Sequence, residues 1–157
     1  MSGAAPRQGG RANFDRISWH QYFNGCCINI EDPTYKIRNV NSCWGGYFGD
    51  EKNCYIDGVE MILRKIQEIY GIPNTRVFFI SSSAGGFASL YICARNEGYK
   101  CLIRNPQIFL GNRELGEIKK LGNLDLSNPC YKERLELGEN IVKNKGSEYF
   151  LVGFQFS

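Results

Sequence analysis

The chain has 157 residues, a length that favours a single domain with a substantial core. Its 43% hydrophobic and 22% charged residues are ordinary for a globular protein and exclude a wholly disordered, collagen-like or coiled-coil chain. The net charge is +3, and most of it falls within residues 1–16. The body of the chain is therefore nearly neutral, which argues against nucleic-acid binding.

The cysteine pattern argues against a metal site. There are seven cysteines, no Cys-x-x-Cys pair and a single histidine, His20, so the paired ligands of a zinc site are missing. We expect no metal and no organic cofactor. Most cysteines adjoin apolar residues and are expected to pack as reduced thiols. With no apolar secretory segment and no run near the ~20 residues that span a bilayer, the sequence indicates a cytoplasmic protein.

The first half of the chain predicts a strand and a helix. Residues 1–13 are rich in Gly, Ala and Arg and are expected to form a disordered leader before a domain over residues 14–157. Residues 26–30 predict a short buried strand, and Pro33 a turn after it. Residues 41–55 predict a loop.

A helix follows, with Asp57 and Glu60 as its capping pair and Gly71 as its stop. Its predicted apolar face comprises Val59, Ile62, Leu63, Ile66, Ile69 and Tyr70.

The second half alternates strands and helices. Residues 76–80 are continuously apolar after Arg76 and predict a strand covered on both faces. Residues 87–95 predict a buried helix, with Gly98 as the stop signal after it, and residues 101–103 predict another strand. Helices over 113–121 and 130–143 and a strand over 149–154 complete the pattern. Such alternation is typical of an α/β domain with a mostly parallel sheet and flanking helices.

Between the strand at 76–80 and the helix at 87–95 lies the segment Ser81-Ser82-Ser83-Ala84-Gly85-Gly86. A nucleophile elbow has the pattern small residue-x-Ser-x-Gly, where x is any residue, and it lies between a buried strand and a helix. Ser81, Ser83 and Gly85 fit this pattern. In that turn Ser83 projects its hydroxyl above the sheet, and the Ala84 N–H stabilises an oxyanion at the helix N-terminus. Two alternatives stay open: a turn that needs small residues only for packing, and an anion cradle for phosphate.

Four motifs in order resemble the α/β-hydrolase-like proteins of bacterial surface-glycan systems. These proteins include capsular polysaccharide biosynthesis proteins of the XcbB/CpsF kind and the hydrolase-like component of the accessory Sec system. The motifs are Asp32-Pro33-Thr34, the loop from Trp44 to Asp50, the elbow from Ser81 to Phe87, and Asn105-Pro106-Gln107. They span about half the chain, and Ser81 stands where the family usually has glycine.

The resemblance implies a partial α/β-hydrolase fold and an esterase or acyl-transfer site with Ser83 as nucleophile. A second oxyanion N–H would come from the loop near Asp32 and Thr34, and an acylated carbohydrate would be the substrate. The candidates for substrate binding are Asp32, Thr34, Trp44, Tyr47, Asn105 and Gln107. Four of them have a structural alternative: Asp32 as a side-chain cap, Trp44 and Tyr47 as core or loop anchors, and Asn105 as a turn former.

The acid and base of a serine hydrolase are missing downstream of Ser83. No histidine follows it, the only later aspartate is Asp125, and His20 precedes the first predicted strand. Serine is a weak nucleophile without a base, so the sequence predicts weak or absent turnover. A truncated gene product, a fragment completed by a separate segment and a non-catalytic relative are the three explanations, of which truncation is favoured.

The sequence thus leaves three classes of function. The first is a serine hydrolase or acyltransferase, or a remnant of one. The second is a non-enzymatic partner of glycan-assembly proteins in a glycan or glycoprotein export system. The third is an anion-binding or nucleotide-binding domain.

Overall fold

The structure, a computed structural model, describes residues 17–33, 46–49, 52–106, 115–116, 135 and 148–152. The predicted leader and most of the predicted helices at 113–121 and 130–143 lie outside these residues. Two helices and three strands make up the framework. They are α1 (Tyr55–Tyr70), β1 (Phe78–Ser82), α2 (Ser83–Arg95), β2 (Lys100–Pro106) and β3 (Glu148–Val152). Short 3-10 helices cover Ile17–Tyr22 and Asn74–Arg76.

The three strands form one parallel sheet in the order β1-β2-β3. Helix α2 connects β1 to β2 and packs on both strands, and α1 packs against α2. Parallel strands need such a crossover connection, because a short hairpin cannot join them. The α/β class with a mostly parallel sheet is therefore confirmed. Within the described ranges, no helix has both the length and the apolar character needed to cross a bilayer.

The two faces of the sheet are covered to different extents. Phe79, Cys101 and Ile103 are buried on the face that carries α2. On the other face Phe78 is 49% exposed and Phe150 is 52% exposed. The strand at 76–80 was predicted to be covered on both faces, and this prediction is wrong for Phe78. A continuous apolar run does not require full coverage, because exposed apolar side chains are common on protein surfaces.

Helix α2 is the buried centre of the domain. Every residue from Ala84 to Ala94 is buried, as the all-round apolar pattern predicts. The helix starts at Ser83, four residues before the predicted start, and ends at Arg95, as predicted. Gly98 takes a φ of 87° in the turn that leads into β2.

Helix α1 is amphipathic, but part of its predicted face is exposed. Val59 is buried, whereas Ile62 is 52% exposed and Ile69 is 63% exposed. Its stop is confirmed: Gly71 caps the helix in the left-handed region at φ 63°, and its N–H donates to the Gln67 carbonyl. The strand predicted over residues 26–30 is wrong. That segment is irregular, none of its residues is buried, and Ile28 keeps 45% of its surface accessible.

Charged side chains join α1 to α2. Glu60 is 6% exposed, and its Oε1 accepts hydrogen bonds from Arg64 Nε at 3.1 Å and Nη2 at 2.9 Å. Arg95 Nη1 donates to Asp57 Oδ1 at 2.6 Å, and its Nε lies 3.8 Å from Glu60 Oε2. The predicted capping pair is therefore wrong. Cys54 occupies the N-cap, and both carboxylates instead form tertiary ion pairs.

The same network sets the charge state of Arg95. Burial lowers the pKa of the Arg95 guanidinium, but the hydrogen bond with Asp57 and the charge of Glu60 outweigh it, so the net shift is upward. On the opposite side of α2, a hydrogen bond with Cys101 and burial both raise the pKa of the Cys93 thiol. Cys93 and Cys101 are both buried free cysteines, whereas Cys26 is exposed.

Replacing Glu60 with glutamine should test whether this network stabilises the helix pair. Glu60→Gln keeps the side-chain volume but removes the charge that faces Arg64 and Arg95, and we expect a loss of about 1–2 kcal/mol in the free energy of unfolding. Glu68→Gln is the matched control, because its partner Lys65 is 63% exposed and such surface pairs contribute about 0–1 kcal/mol. Urea denaturation measures both variants, and equal losses would contradict the assignment.

Two glycines of α1 allow a test of backbone conformation. A Cβ atom at Gly58 or at Gly71 would meet nothing within 4 Å, but only Gly71 has a positive φ. We therefore expect Gly58→Ala to raise the free energy of unfolding by about 0.5–1 kcal/mol and Gly71→Ala to lower it by about 1 kcal/mol. Thermal and urea unfolding would report the two opposite signs. A stabilising Gly71→Ala would contradict the left-handed cap.

Candidate functional site

The chain reverses direction sharply at Ser83. Ser82 is fully extended, with φ −151° and ψ 156°, and the next residue, Ser83, has a φ of 49°. Helix α2 begins at that residue. A left-handed φ at a residue other than glycine costs about 1–2 kcal/mol. A serine held in this strained geometry between a parallel strand and a buried helix has the form of a nucleophile elbow.

The residues two positions before and after Ser83 are small and enclosed. Ser81 is 1% exposed, and Gly85 is buried in the first turn of α2. The Ser81 hydroxyl is buried and has no hydrogen-bond partner within the described ranges. Ser81 is therefore present as a small side chain in a tight turn rather than as a member of a polar network.

The Ser83 side chain is half-buried. None of the hydrogen bonds that join the described residues involves its hydroxyl. The hydroxyl is therefore available to an incoming group. Within the same residues no base is positioned to take its proton, which is the function a histidine performs in serine hydrolases.

The N-terminus of α2 supplies the donors expected for an oxyanion. Ala84 follows Ser83 in the first turn, where backbone N–H groups have no partner inside the helix. The N-cap residue Ser82 makes no side-chain capping bond, and the first turn contains no acidic residue. The positive end of the helix dipole is therefore not offset locally by a carboxylate of the same helix. This arrangement favours negative charge next to Ser83.

The carboxyl end of β2 lies beside the elbow. Ser82 pairs with Arg104 in the sheet register, so Asn105 occupies the position next to Ser83 at the same edge. Asn105 has a left-handed φ of 48° within β2, which continues to Pro106; its role as a turn former before Pro106 stays a prediction. Arg104, an exposed cation at this edge, was not predicted as part of the site. The predicted strand ended at 103, three residues before the end of β2 at Pro106, and so did not bring Arg104 to the edge.

The other predicted binding residues divide into two groups. Asp32 is 5% exposed, and its Oδ2 accepts a hydrogen bond from the Tyr47 N–H at 2.9 Å. Tyr47 is fully buried, and its hydroxyl donates to the Ile30 carbonyl at 2.7 Å. These contacts are structural: Asp32 fixes the loop and Tyr47 anchors it in the core. Thr34, Trp44 and Gln107 lie outside the described residues.

His20 is remote from the elbow along β1. It lines a cavity together with Arg76 and Phe78, at the amino-terminal end of the strand, whereas Ser83 follows the carboxyl-terminal end. Its Nε2 lies 2.9 Å from Asn29 Nδ2. In the part of the chain that the structure describes, no cluster of three or more His, Cys, Asp or Glu residues could hold a metal ion.

Comparisons of the chain with models of known protein families, with curated proteins and with solved structures found no match. The case for a function therefore rests on the geometry of the elbow and on the sequence motifs.

Glycine substitutions should reveal the backbone strain at Ser83. Glycine adopts the left-handed conformation without strain. We therefore expect the free energy of unfolding of Ser83→Gly to be about 1 kcal/mol higher than that of Ser83→Ala. At Ser82 the backbone is extended, and the order should reverse, with Ser82→Ala more stable than Ser82→Gly. Urea denaturation of the four variants measures both differences. The same order at both positions would contradict the elbow.

Proposed function

We propose that this chain is an α/β-hydrolase-like protein in which Ser83 acts as the nucleophile of ester hydrolysis or acyl transfer. The observation that carries the proposal is the left-handed backbone of Ser83 at a strand-to-helix turn. Such strain persists only where the surrounding structure enforces it, and it is concentrated at functional sites. A packing turn would need the small residues Ser81 and Gly85, but it would not need a strained serine between them.

The chemistry assigns one step to each group of the site. The Ser83 Oγ attacks the carbonyl carbon of an ester, and the carbonyl oxygen becomes an oxyanion that accepts a hydrogen bond from the Ala84 N–H. The C–O bond to the alcohol then breaks, and the alcohol leaves with the proton that the Ser83 hydroxyl gives up, passed on through water. Water hydrolyses the acyl-serine, or a second alcohol accepts the acyl group. Since no described base contacts Ser83, turnover is expected to be slow.

An acylated carbohydrate is the proposed substrate, and surface-glycan biosynthesis, including capsular polysaccharide, is the proposed setting. Both follow from the resemblance carried by Asp32-Pro33-Thr34, the elbow and Asn105-Pro106-Gln107. The exposed cation Arg104 beside the elbow suits a substrate with a negative charge near its ester.

The second candidate is a non-enzymatic partner in a glycan or glycoprotein export assembly. It is favoured by one observation: no base within the described ranges contacts the elbow serine. Co-purification with a glycosyltransferase or a translocase component, without any acyl-serine, would support this candidate over the enzyme.

A fluorophosphonate probe tests the nucleophile directly. The probe phosphonylates serines that are activated by an elbow and its oxyanion donors, and we expect a single adduct on Ser83, identified by mass spectrometry of the digested protein. Ser83→Ala should abolish the adduct. Ser82→Ala is the matched control, because it removes the neighbouring hydroxyl and should retain labelling. An adduct that persists in Ser83→Ala, or no adduct on the folded wild type, would contradict the proposal.

A further inference from the structure

A concave site separate from the elbow lies on the face of β1 opposite α2. Residues 19–29 run along this face and enclose with it a cavity of about 330 Å³. Arg76 and Phe78 line it at the amino-terminal end of β1, and Ser83 follows the other end, roughly 16 Å along the strand at ~3.3 Å per residue. This volume is within the range of small-molecule pockets, about 300–1,000 Å³. The cavity is therefore distinct from the elbow.

Aromatic rings form much of its wall. Trp19 is 45% exposed, Phe23 is 42% exposed and Phe78 is 49% exposed, and all three line the cavity. Large aromatic side chains contribute strongly to binding when a ligand covers them, because each can bury about 150–250 Å². Three half-exposed rings around one cavity, which Ile80 also lines, provide a surface suited to a planar apolar group.

The polar groups of the cavity define the charge of the ligand. Arg76 is the only charged side chain among the described residues that line it, and its guanidinium is exposed and forms no salt bridge within the described ranges. One unpaired cation suits a single carboxylate or sulfonate. It does not suit a nucleoside di- or triphosphate, whose several negative charges require several cations or a metal.

We propose that this cavity binds a small aromatic monoanion. The aromatic part lies against Trp19, Phe23 and Phe78, and the anionic group accepts hydrogen bonds from Arg76. Asn29 and His20, which contact each other at 2.9 Å, add polar edges that orient a ligand. The inference does not depend on Ser83, because it uses other residues, the opposite face of β1 and the opposite end of the strand.

A pair of matched ligands tests the charge requirement. The probes are 2-naphthoate and its neutral analogue 2-naphthamide, titrated at low ionic strength into the full chain with Trp44→Phe, so that fluorescence reports on Trp19 alone. We expect both to quench Trp19, with the carboxylate binding about fivefold more tightly than the amide. In Arg76→Gln that preference should disappear. Lys65→Gln, which removes a cation on α1 outside the cavity, should retain it.

A second variant separates the aromatic contribution from the charge. Phe23→Ala should weaken both ligands by a similar factor and leave their ratio unchanged, with circular dichroism confirming that it remains folded. The proposal is overturned if neither probe quenches Trp19 in the wild type, if the two probes bind equally, or if Arg76→Gln retains the preference for the carboxylate. Labelling of Ser83 by the fluorophosphonate should be the same in Arg76→Gln and wild type, so the two proposals fail independently.

Discussion

The left-handed backbone at Ser83 is the constraint on which the candidate active site depends. A φ of 49° at a serine is unfavourable by itself, so the surrounding fold must enforce it. Two features do so. β1 is fixed by its register with β2 up to Ser82, and α2 is buried along nearly its whole length from Ala84 onward. Since burial of one large apolar side chain contributes about 1.5–3 kcal/mol, residues such as Phe87 and Leu90 readily offset the strain.

Elements with strong local signals could be predicted from the sequence, and details set by tertiary contacts could not. The period of α1, the apolar run of β1 and the small residues around Ser83 are local patterns, and all three led to the right element. The prediction that Asp57 caps α1 was wrong because its carboxylate accepts a hydrogen bond from Arg95, thirty-eight residues away. The prediction of a strand over residues 26–30 was wrong because a short apolar run is compatible with an irregular segment as well as with a strand.

The candidate site was predictable to the same extent. The strained serine follows from one continuous segment, so the sequence alone points to it. The position of Arg104 beside the elbow depends on the register between β1 and β2. The roles of Asp32 and Tyr47 depend on a hydrogen bond between residues fifteen positions apart. The cavity on the other face could not have been found from local patterns. Its wall combines Trp19 and Phe23 with Arg76 and Phe78, which are more than fifty residues apart in the chain.

The alternation of side chains along β1 explains how one short strand borders both proposed sites. Phe79 and Ser81 are buried on the side of α2 and support the elbow, whereas Phe78 and Ile80 line the cavity on the other side. Because consecutive side chains of a strand point to opposite faces, a change on one face leaves the packing of the other largely unaltered. Geometry of this kind places a nucleophile but does not supply its base. Position and proton transfer are thus separate requirements, and within the described residues the elbow meets only the first.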